Sequence, residues 1–354
     1  MTKAELDNRK ILPLEDSWYR RVKEKLDGIA KPLDGLGKFE HLIAQIGAIE
    51  KTTKISIQKK AVLVMCADNG VVEEQVSQSG KEVTLAVAKA MGVNNSSVGK
   101  MAAVAGVDVI PVDIGIDTDE VIPGVLPRKV AKGTKNFARE PAMTEEEVLK
   151  AIETGIQLVQ QCHRDGYEIL ATGEMGIGNT TTSTAVAAAL LDLEVEQVTG
   201  KGAGLTDEAL KRKCRVIEEA IEKYSLRDAD AFTILKTVGG LDIAGLTGVF
   251  IGAAIEQIPV VIDGVISAVA ALLAETLCKG AVNYMIPSHK SRELAETAIM
   301  KKLHLDPVLD ADMALGEGTG AVMMMSLLDV ALGVYLKGAS FANFEIEQYK
   351  RYEE

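Results

Sequence analysis

Residues Glu168 to Leu191, EILATGEMGIGNTTTSTAVAAALL, decide the fold. A short apolar run ends in glycines, and an alanine-rich helical pattern opens directly behind them. Tyr167 to Ala171 is predicted as a strand and Thr180 to Leu191 as a helix capped by Asn179 or Thr180. Strand, glycine turn, helix is the repeating unit of open α/β sheets. Working outward, further strands are predicted at Ala61 to Cys66, Val107 to Val112, Phe232 to Leu235 and Pro259 to Ile262. Helices are predicted at Glu82 to Ala105, Thr144 to Arg164, Asp207 to Tyr224, Asp242 to Glu256 and Ile266 to Lys279. The alternation implies an α/β fold, a mostly parallel sheet with helices on both faces. The two ends of the chain read as helices alone, at Asp16 to Asp27, Gly37 to Glu50, Arg292 to Leu303 and Ala321 to Leu336. Two domains are expected: an α/β domain over residues 54–290, and a small helical domain that joins residues 1–53 with 291–354. The segment Gly115 to Glu140 is the most loop-like stretch.

Composition narrows the class of function. A chain of 354 residues with 25% charged residues, 4% aromatics and 32 glycines describes a globular protein rich in tight turns. Its formal net charge is -12, with no stripe of Lys and Arg, which argues against nucleic-acid or anionic-membrane partners. Any phosphate must be held locally, by amides and a few cations, and the ligand is expected to be small. Cys66, Cys162, Cys214 and Cys278 form no CxxC pair and read as buried thiols in a reducing compartment. The N-terminus MTKAELDNRK lacks a signal-peptide pattern, and the apolar runs at Ile258 to Ile262 and Val265 to Leu277 are broken by Pro259, Asp263 and Gly264. A cytoplasmic location is expected.

Three glycine-framed segments carry the chemistry. GEMGIGNTTT from Gly173 and TGKGAGLTDE from Thr199 each precede a helix, and LGEGTG from Leu315 sets one carboxylate, Glu317, between bare backbone amides. None is a Walker loop, because no Lys-Ser/Thr follows the glycines, and the first lacks the third glycine of GxGxxG. A carboxylate at Glu174 inside an anion-binding loop weakens phosphate binding unless it serves ribose hydroxyls or a developing cation. Lys213, two turns beyond the Thr206 cap, either reaches back to a phosphate or lies solvated beside Lys211 and Arg212. PVVIDGVIS from Pro259 is similar to the diphosphate-ribose loop of ordinary phosphoribosyltransferases, but has one acidic residue instead of two and no trailing Thr-Gly. Asp263 therefore reads as the polar end of a buried strand. The histidines offer no metal set: His41, His163 and His304 read as surface residues, and His289 beside Ser291 is the only one kept as a candidate.

As an ordered set, KPLDGLGKFE from Lys31, ADNGVV from Ala67, GTKNFAREPAMT from Gly133, GEMGIGNTTT, GKGAGL, PVVIDG and LGEGTGA resemble the nicotinate-nucleotide:dimethylbenzimidazole phosphoribosyltransferase family. That resemblance covers nearly the whole chain. It implies a Rossmann-like α/β domain with a small helical domain from both chain ends, a dimer of one chain or of two related ones, and no cofactor or metal. The implied reaction moves a phosphoribosyl group from nicotinate mononucleotide to an aromatic base, activating the lower ligand of a cobamide. It also implies that Glu317 is the catalytic base with Glu174 beside it. Gly176, Gly178, Asn179, Gly202, Gly204, Lys213, Ser291, Gly316, Gly318 and Gly320 then hold ribose and phosphate, and Ser79, Gly80, Ala86, Met175 and Leu315 form the acceptor pocket.

The departures from the family pattern cluster at the acceptor end. Asn69 stands where the family has a histidine, and Ser77-Gln78-Ser79-Gly80, Lys81 and Ala86 replace a stretch that supplies a tyrosine and a glutamine. EPGH becomes Glu293-Leu294-Ala295-Glu296, and Lys201 and Ala203 replace an arginine and a threonine. The acceptor is therefore expected to be dimethylbenzimidazole, a purine or a phenol. Two other readings remain: a non-catalytic nucleotide-binding subunit supporting a related catalytic chain, and a nucleotide-dependent hydrolase or kinase.

Overall fold

The computed structural model describes residues 1–202 and 204–351, so Ala203 lies outside the described residues. At its centre is β1 (Lys60–Ala67), buried along its whole length. Ala61, Leu63, Met65 and Ala67 enter one hydrophobic core, and Val62, Val64 and Cys66 enter the other. That division follows from the two-residue period of a strand, and burial on both faces explains why β1 is apolar throughout rather than alternating. β2 (Val107–Gly115), β3 (Leu126–Pro127), β4 (Ile169–Met175), β5 (Val260–Ile262) and β6 (Met285–Pro287) complete a sheet of order β3-β2-β1-β4-β5-β6. Every pairing in it is parallel. In this Rossmann-type order the chain runs outward in opposite directions from β1, and the crevice between β1 and β4 is where such sheets take ligands.

Several local expectations are corrected. Phe232 to Leu235 is not a strand but part of the helix Ala231–Val238, because the Asp230 side chain accepts the Phe232 and Thr233 N–H groups and caps it. The sheet's further strands are instead β3 and β6, whose two and three residues are too short a run to stand out. β4 continues past Ala171 to Met175, which puts Glu174 on the strand rather than in the following turn. Gly178, at φ 92, is the N-cap of the helix Asn179–Leu191, in place of Asn179 or Thr180. The expected helix Glu82 to Ala105 divides into Glu82–Gly92 and Ser97–Ala105. Asn94 adopts φ 54 in the break, and Ser96 caps the second helix through the Gly99 N–H.

Helices Asp16–Asp27 and Lys38–Ile49 pack together, and Thr319–Lys337 lies across β4 and β5 against Ser97–Ala105 and Lys38–Ile49. An isolated bridge joins Ile29 to Ser340, and Arg351 pairs with Asp27 and Asp34. Arg351 and Lys23 hold the Asp34 carboxyl well below the usual range. The remaining carboxylate of this group, Glu40, is buried and paired with Lys23 and Lys31. Leu294–Leu303 packs on the opposite face, against Val265–Leu277 and Asn179–Leu191. Thr319–Lys337 is long and apolar enough to cross a membrane by length and composition alone, and here it is a partly buried layer over the sheet. A second, two-stranded parallel sheet, β7 (His289–Ser291) with β8 (Leu309–Met313), was not legible beforehand and carries the chain from β6 toward Leu315.

Candidate active site

A cleft of about 270 Å³ opens at the carboxyl ends of β4, β5 and β7. The turns after those strands line it with Glu174, Met175, Gly176 and Asn179, with Asp263 to Ser267, and with His289 and Ser291. Leu315, Gly316 and Glu317 close one side, and Gly202 and Glu293 the other. A larger groove of about 870 Å³ runs between the helices Val195–Val198 and Asp207–Lys223, but it is walled by charged helix surface away from the sheet edge. The cleft is the candidate site.

Glu317 stands in a turn in which three successive residues have positive φ: Gly316 at 84, Glu317 at 61 and Gly318 at 90. For a glutamate that conformation is uncommon, and such strain persists only where the surroundings fix it. The fixing groups are visible. A Cβ at Gly173 would lie 2.6 Å from the Glu317 carbonyl oxygen, so β4 and the turn touch backbone to backbone. Glu317 Oε2 accepts the Val98 N–H at 3.0 Å, in the first turn of Ser97–Ala105, where the helix dipole favours a carboxylate. Its Oε1 has no hydrogen bond among the described residues.

Glu174 lies directly across from this turn, since a Cβ at Gly316 would come 2.6 Å from Glu174 Oε1. The Asn179 amide donates to Glu174 Oε2 and, at 3.0 Å, to Asp242 Oδ2. Burial pushes the Glu174 carboxyl up to about 8 against that hydrogen bond, with Asp242, Asp263 and Glu317 adding repulsion. Asp242 rises to about 6, again chiefly through burial. Asp263 accepts the Gly318 and Ala321 amides at 3.1 Å each and so caps Thr319–Lys337. The strand-end reading of Asp263 holds, and the residue also faces the cleft. His289 is buried, with Nδ1 2.9 Å from Ser288 Oγ. A Cβ at Gly320 would lie 2.0 Å from His289 Nδ1, so glycine lets the helix approach the histidine.

Lys213 is fully buried, which removes the solvated reading. Its Nζ donates to Thr180 Oγ1 at 2.9 Å and to the Gly200 carbonyl at 3.2 Å, tying the helix Asp207–Lys223 to both glycine loops. Burial lowers its pKa, partly offset by the charge of Glu293. Gly202 and Gly204 take φ 53 and 108 in this loop. Glu293 Oε1 accepts the Gly202 N–H at 3.0 Å, and the Ser291 N–H donates to Glu296, which burial pushes up to about 8.

Of the residues expected to form an acceptor pocket, the structure brings only two together. Met175 and Leu315 line the cleft, whereas Ser79 and Gly80 are half-buried outside it and Ala86 is exposed. One residue along a helix is a turn of about 100°, so on Glu82–Gly92 it is Val87, not Ala86, that faces the cleft. Asn69 lies behind the turn after β4, where its Nδ2 approaches the Ile177 carbonyl at 3.4 Å. His41, His163 and His304 are exposed, and the thiols of Cys66, Cys162 and Cys278 are buried, while Cys214 is half-buried.

A family model described as Phosphoribosyltransferase matches residues 11–346. The chain belongs to that family. Among the proteins this phosphoribosyltransferase is similar to is the nicotinate-nucleotide--dimethylbenzimidazole phosphoribosyltransferase of Acetivibrio thermocellus, 44% identical over 93% of this chain and 94% of the relative. Its counterpart of the same name in Clostridium acetobutylicum is 43% identical over 95% and 96%. The crystal structure of CobT from Thermus thermophilus matches with TM-score 0.89 and 33% identity, covering 94% of this chain and all of that one.

Four site groups of this phosphoribosyltransferase escape a reading of its sequence. Asp242 joins the carboxylate cluster from the helix Leu241–Glu256, and its only local sign is the Gly239-Gly240 pair before it. Val98 acts through its backbone, so its side chain gives no sign at all. Thr180 and Glu293 sit on quoted motifs, but their reach to Lys213 and Gly202 depends on how the loops fold together.

Proposed function

We propose that the chain transfers the phosphoribosyl group of nicotinate mononucleotide to an aromatic base, giving an α-riboside 5'-phosphate and nicotinate. The observation that carries this reading is the pairing of Glu317 and Glu174 across one cleft, with buried Lys213 behind its glycine loop. A buried ammonium whose hydrogen-bond partners are a hydroxyl and a carbonyl is suited to an arriving anion. Gly176, Gly202 and Gly316 line the cleft and can present backbone to phosphate and ribose, with Asn179 and Ser291 as polar partners, whereas the Gly204 and Gly318 amides are taken by the Lys201 carbonyl and by Asp263, and Gly178 and Gly320 shape the turns.

Nicotinate bound through its ring nitrogen is a cationic leaving group and departs with the bonding pair without a general acid. The acceptor's ring nitrogen or oxygen forms the new bond to the anomeric carbon from the opposite face, turning a β-nucleotide into an α-riboside. Its proton passes to Glu317, whose Oε2 is held by Val98 while Oε1 is open. Glu174, beside the ribose, counters the positive charge that develops there. In the empty site burial favours its protonated form, and the incoming pyridinium favours the carboxylate.

The names of the relatives favour dimethylbenzimidazole as acceptor. A cleft whose acceptor side is Val87, Met175 and Leu315 is apolar and admits purines and phenols as well. A dimer and a cytoplasmic location belong to the same reading. The test is incubation of the purified chain with nicotinate mononucleotide and a panel of benzimidazoles, purines and phenols, with mass spectrometry of the ribosides. Dimethylbenzimidazole riboside phosphate is expected as the main product. Nicotinate release with no riboside from any acceptor would overturn the reading.

A further inference from the structure

Glu293 occupies an unusual position for a carboxylate. It is the N-cap residue of the helix Leu294–Leu303 but makes no side-chain cap to that helix. Its carboxylate crosses instead to the second glycine loop, where Oε1 accepts the Gly202 N–H at 3.0 Å. It lies hard against that loop's backbone: a Cβ at Gly200 would fall 2.5 Å from the Glu293 carboxyl carbon. Lys213, whose Nζ holds the Gly200 carbonyl, feels the Glu293 charge but is not ion-paired with it. Glu293, Gly202 and Thr180, the hydroxyl partner of Lys213, all line the cleft. An anionic oxygen of the protein therefore sits on the amide and beside the cation that suit a phosphate.

We propose that Glu293 is an internal stand-in for the substrate's phosphate: its carboxylate holds the Gly202 amide in the free enzyme, and the phosphate of the incoming mononucleotide displaces it. The inference rests on the reading that this loop and Lys213 bind phosphate. Two anions cannot share one amide donor at close range, so the carboxylate must leave before the phosphate seats. Glu293 is half-buried at the cleft's rim, and its side chain can swing to solvent without unpacking Leu294–Leu303. The contact makes Glu293 a determinant of specificity. Apparent affinity for the phosphorylated ligand is reduced by the fraction of molecules in which the amide is occupied, while affinity for a ligand without phosphate is untouched.

The test is calorimetric binding of nicotinate mononucleotide and of nicotinate riboside, which lacks the phosphate, to the parent, Glu293→Gln, Glu293→Asp and Lys213→Ala. Glutamine keeps the size but not the charge, and aspartate is one methylene short of Gly202. Both Glu293 variants should bind the mononucleotide about three- to thirtyfold more tightly and the riboside within about twofold of the parent. Unchanged or weaker mononucleotide binding in both variants overturns the proposal, and so does equal tightening of both ligands. Lys213→Ala separates the two levels of failure. If it weakens only the mononucleotide while the Glu293 variants show no gain, the phosphate site stands and the stand-in falls. If it affects neither ligand, the phosphate reading itself falls.

Discussion

On the side of Gly202, Gly316 and Glu317 the cleft is bounded by glycine backbone and firmly held side chains, whereas on the side of the helix Glu82–Gly92 it meets the side chain of Val87. The first region is fixed from several directions. Glu317 is held by Val98, its turn by Gly173 and Asp263, and Lys213 by Thr180 and Gly200. The second is a surface helix on which the expected Ala86 is exposed, with Ser79 and Gly80 outside the cleft. A site built at strand ends and glycine turns tolerates little change, because a Cβ at Gly173, Gly176, Gly318 or Gly320 would collide with backbone or a buried side chain. A site built from one helix face can change its ligand by changing a side chain. We therefore propose that reaction type rests on the first region and acceptor choice on the second.

Glu317→Gln keeps the Val98 hydrogen bond but cannot accept a full proton. Turnover should fall about 100- to 10,000-fold with mononucleotide affinity little changed, as measured by steady-state kinetics and calorimetry. A loss of affinity matching the loss of turnover would make the turn a binding element and erase the contrast.

The next largest effect is on pH dependence. A carboxyl raised to about 8 is protonated in the free enzyme below that pH and ionised above it. If the ionised form meets the ribosyl cation, kcat/KM for the mononucleotide should rise about tenfold per pH unit up to about pH 8, near a hundredfold from pH 6, and then level off. Glu174→Gln should remove that limb. A parent profile flat from about pH 6 to pH 9 would separate Glu174 from the reaction.

Lys213→Ala should weaken the mononucleotide by about 1.5 to 3 kcal/mol, the range for a hydrogen bond to a charged group, while the riboside barely changes. Equal losses for both ligands would make Lys213 a strut between the two glycine loops.

The smallest effect concerns the acceptor side and sharpens the comparison residue by residue. Val87→Ala should shift the relative kcat/KM between dimethylbenzimidazole and a smaller acceptor by about three- to tenfold, less than the about 10- to 200-fold of a fully enclosed pocket because Val87 is only half-buried. Ala86→Gln, on the exposed face, should leave the ratio within about twofold. A shift from Ala86 and none from Val87 would restore the sequence-based pocket.

What was legible beforehand follows the same division. β1, β2, β4 and β5 and most of the helices announced themselves through apolar runs and caps, as did the three glycine segments. Phe232 to Leu235 misled because its apolar content outweighed the Asp230 cap, and β6 and β7 are too short to show a period. In the site, Glu174 and Glu317 were marked by the glycines around them. Asp242 and Val98 enter through long-range packing, and that Val87 rather than Ala86 lines the cleft depends on the phase of the helix Glu82–Gly92.

The proposed reaction is a displacement at the anomeric carbon in which nicotinate leaves and a base takes its place. Proton and phosphorus NMR of the purified chain with nicotinate mononucleotide and dimethylbenzimidazole can follow it. One equivalent of nicotinate should appear for each equivalent of riboside 5'-phosphate, and the anomeric proton should report the α configuration. A β-riboside, or nicotinate accompanied by free ribose 5-phosphate, would contradict the account.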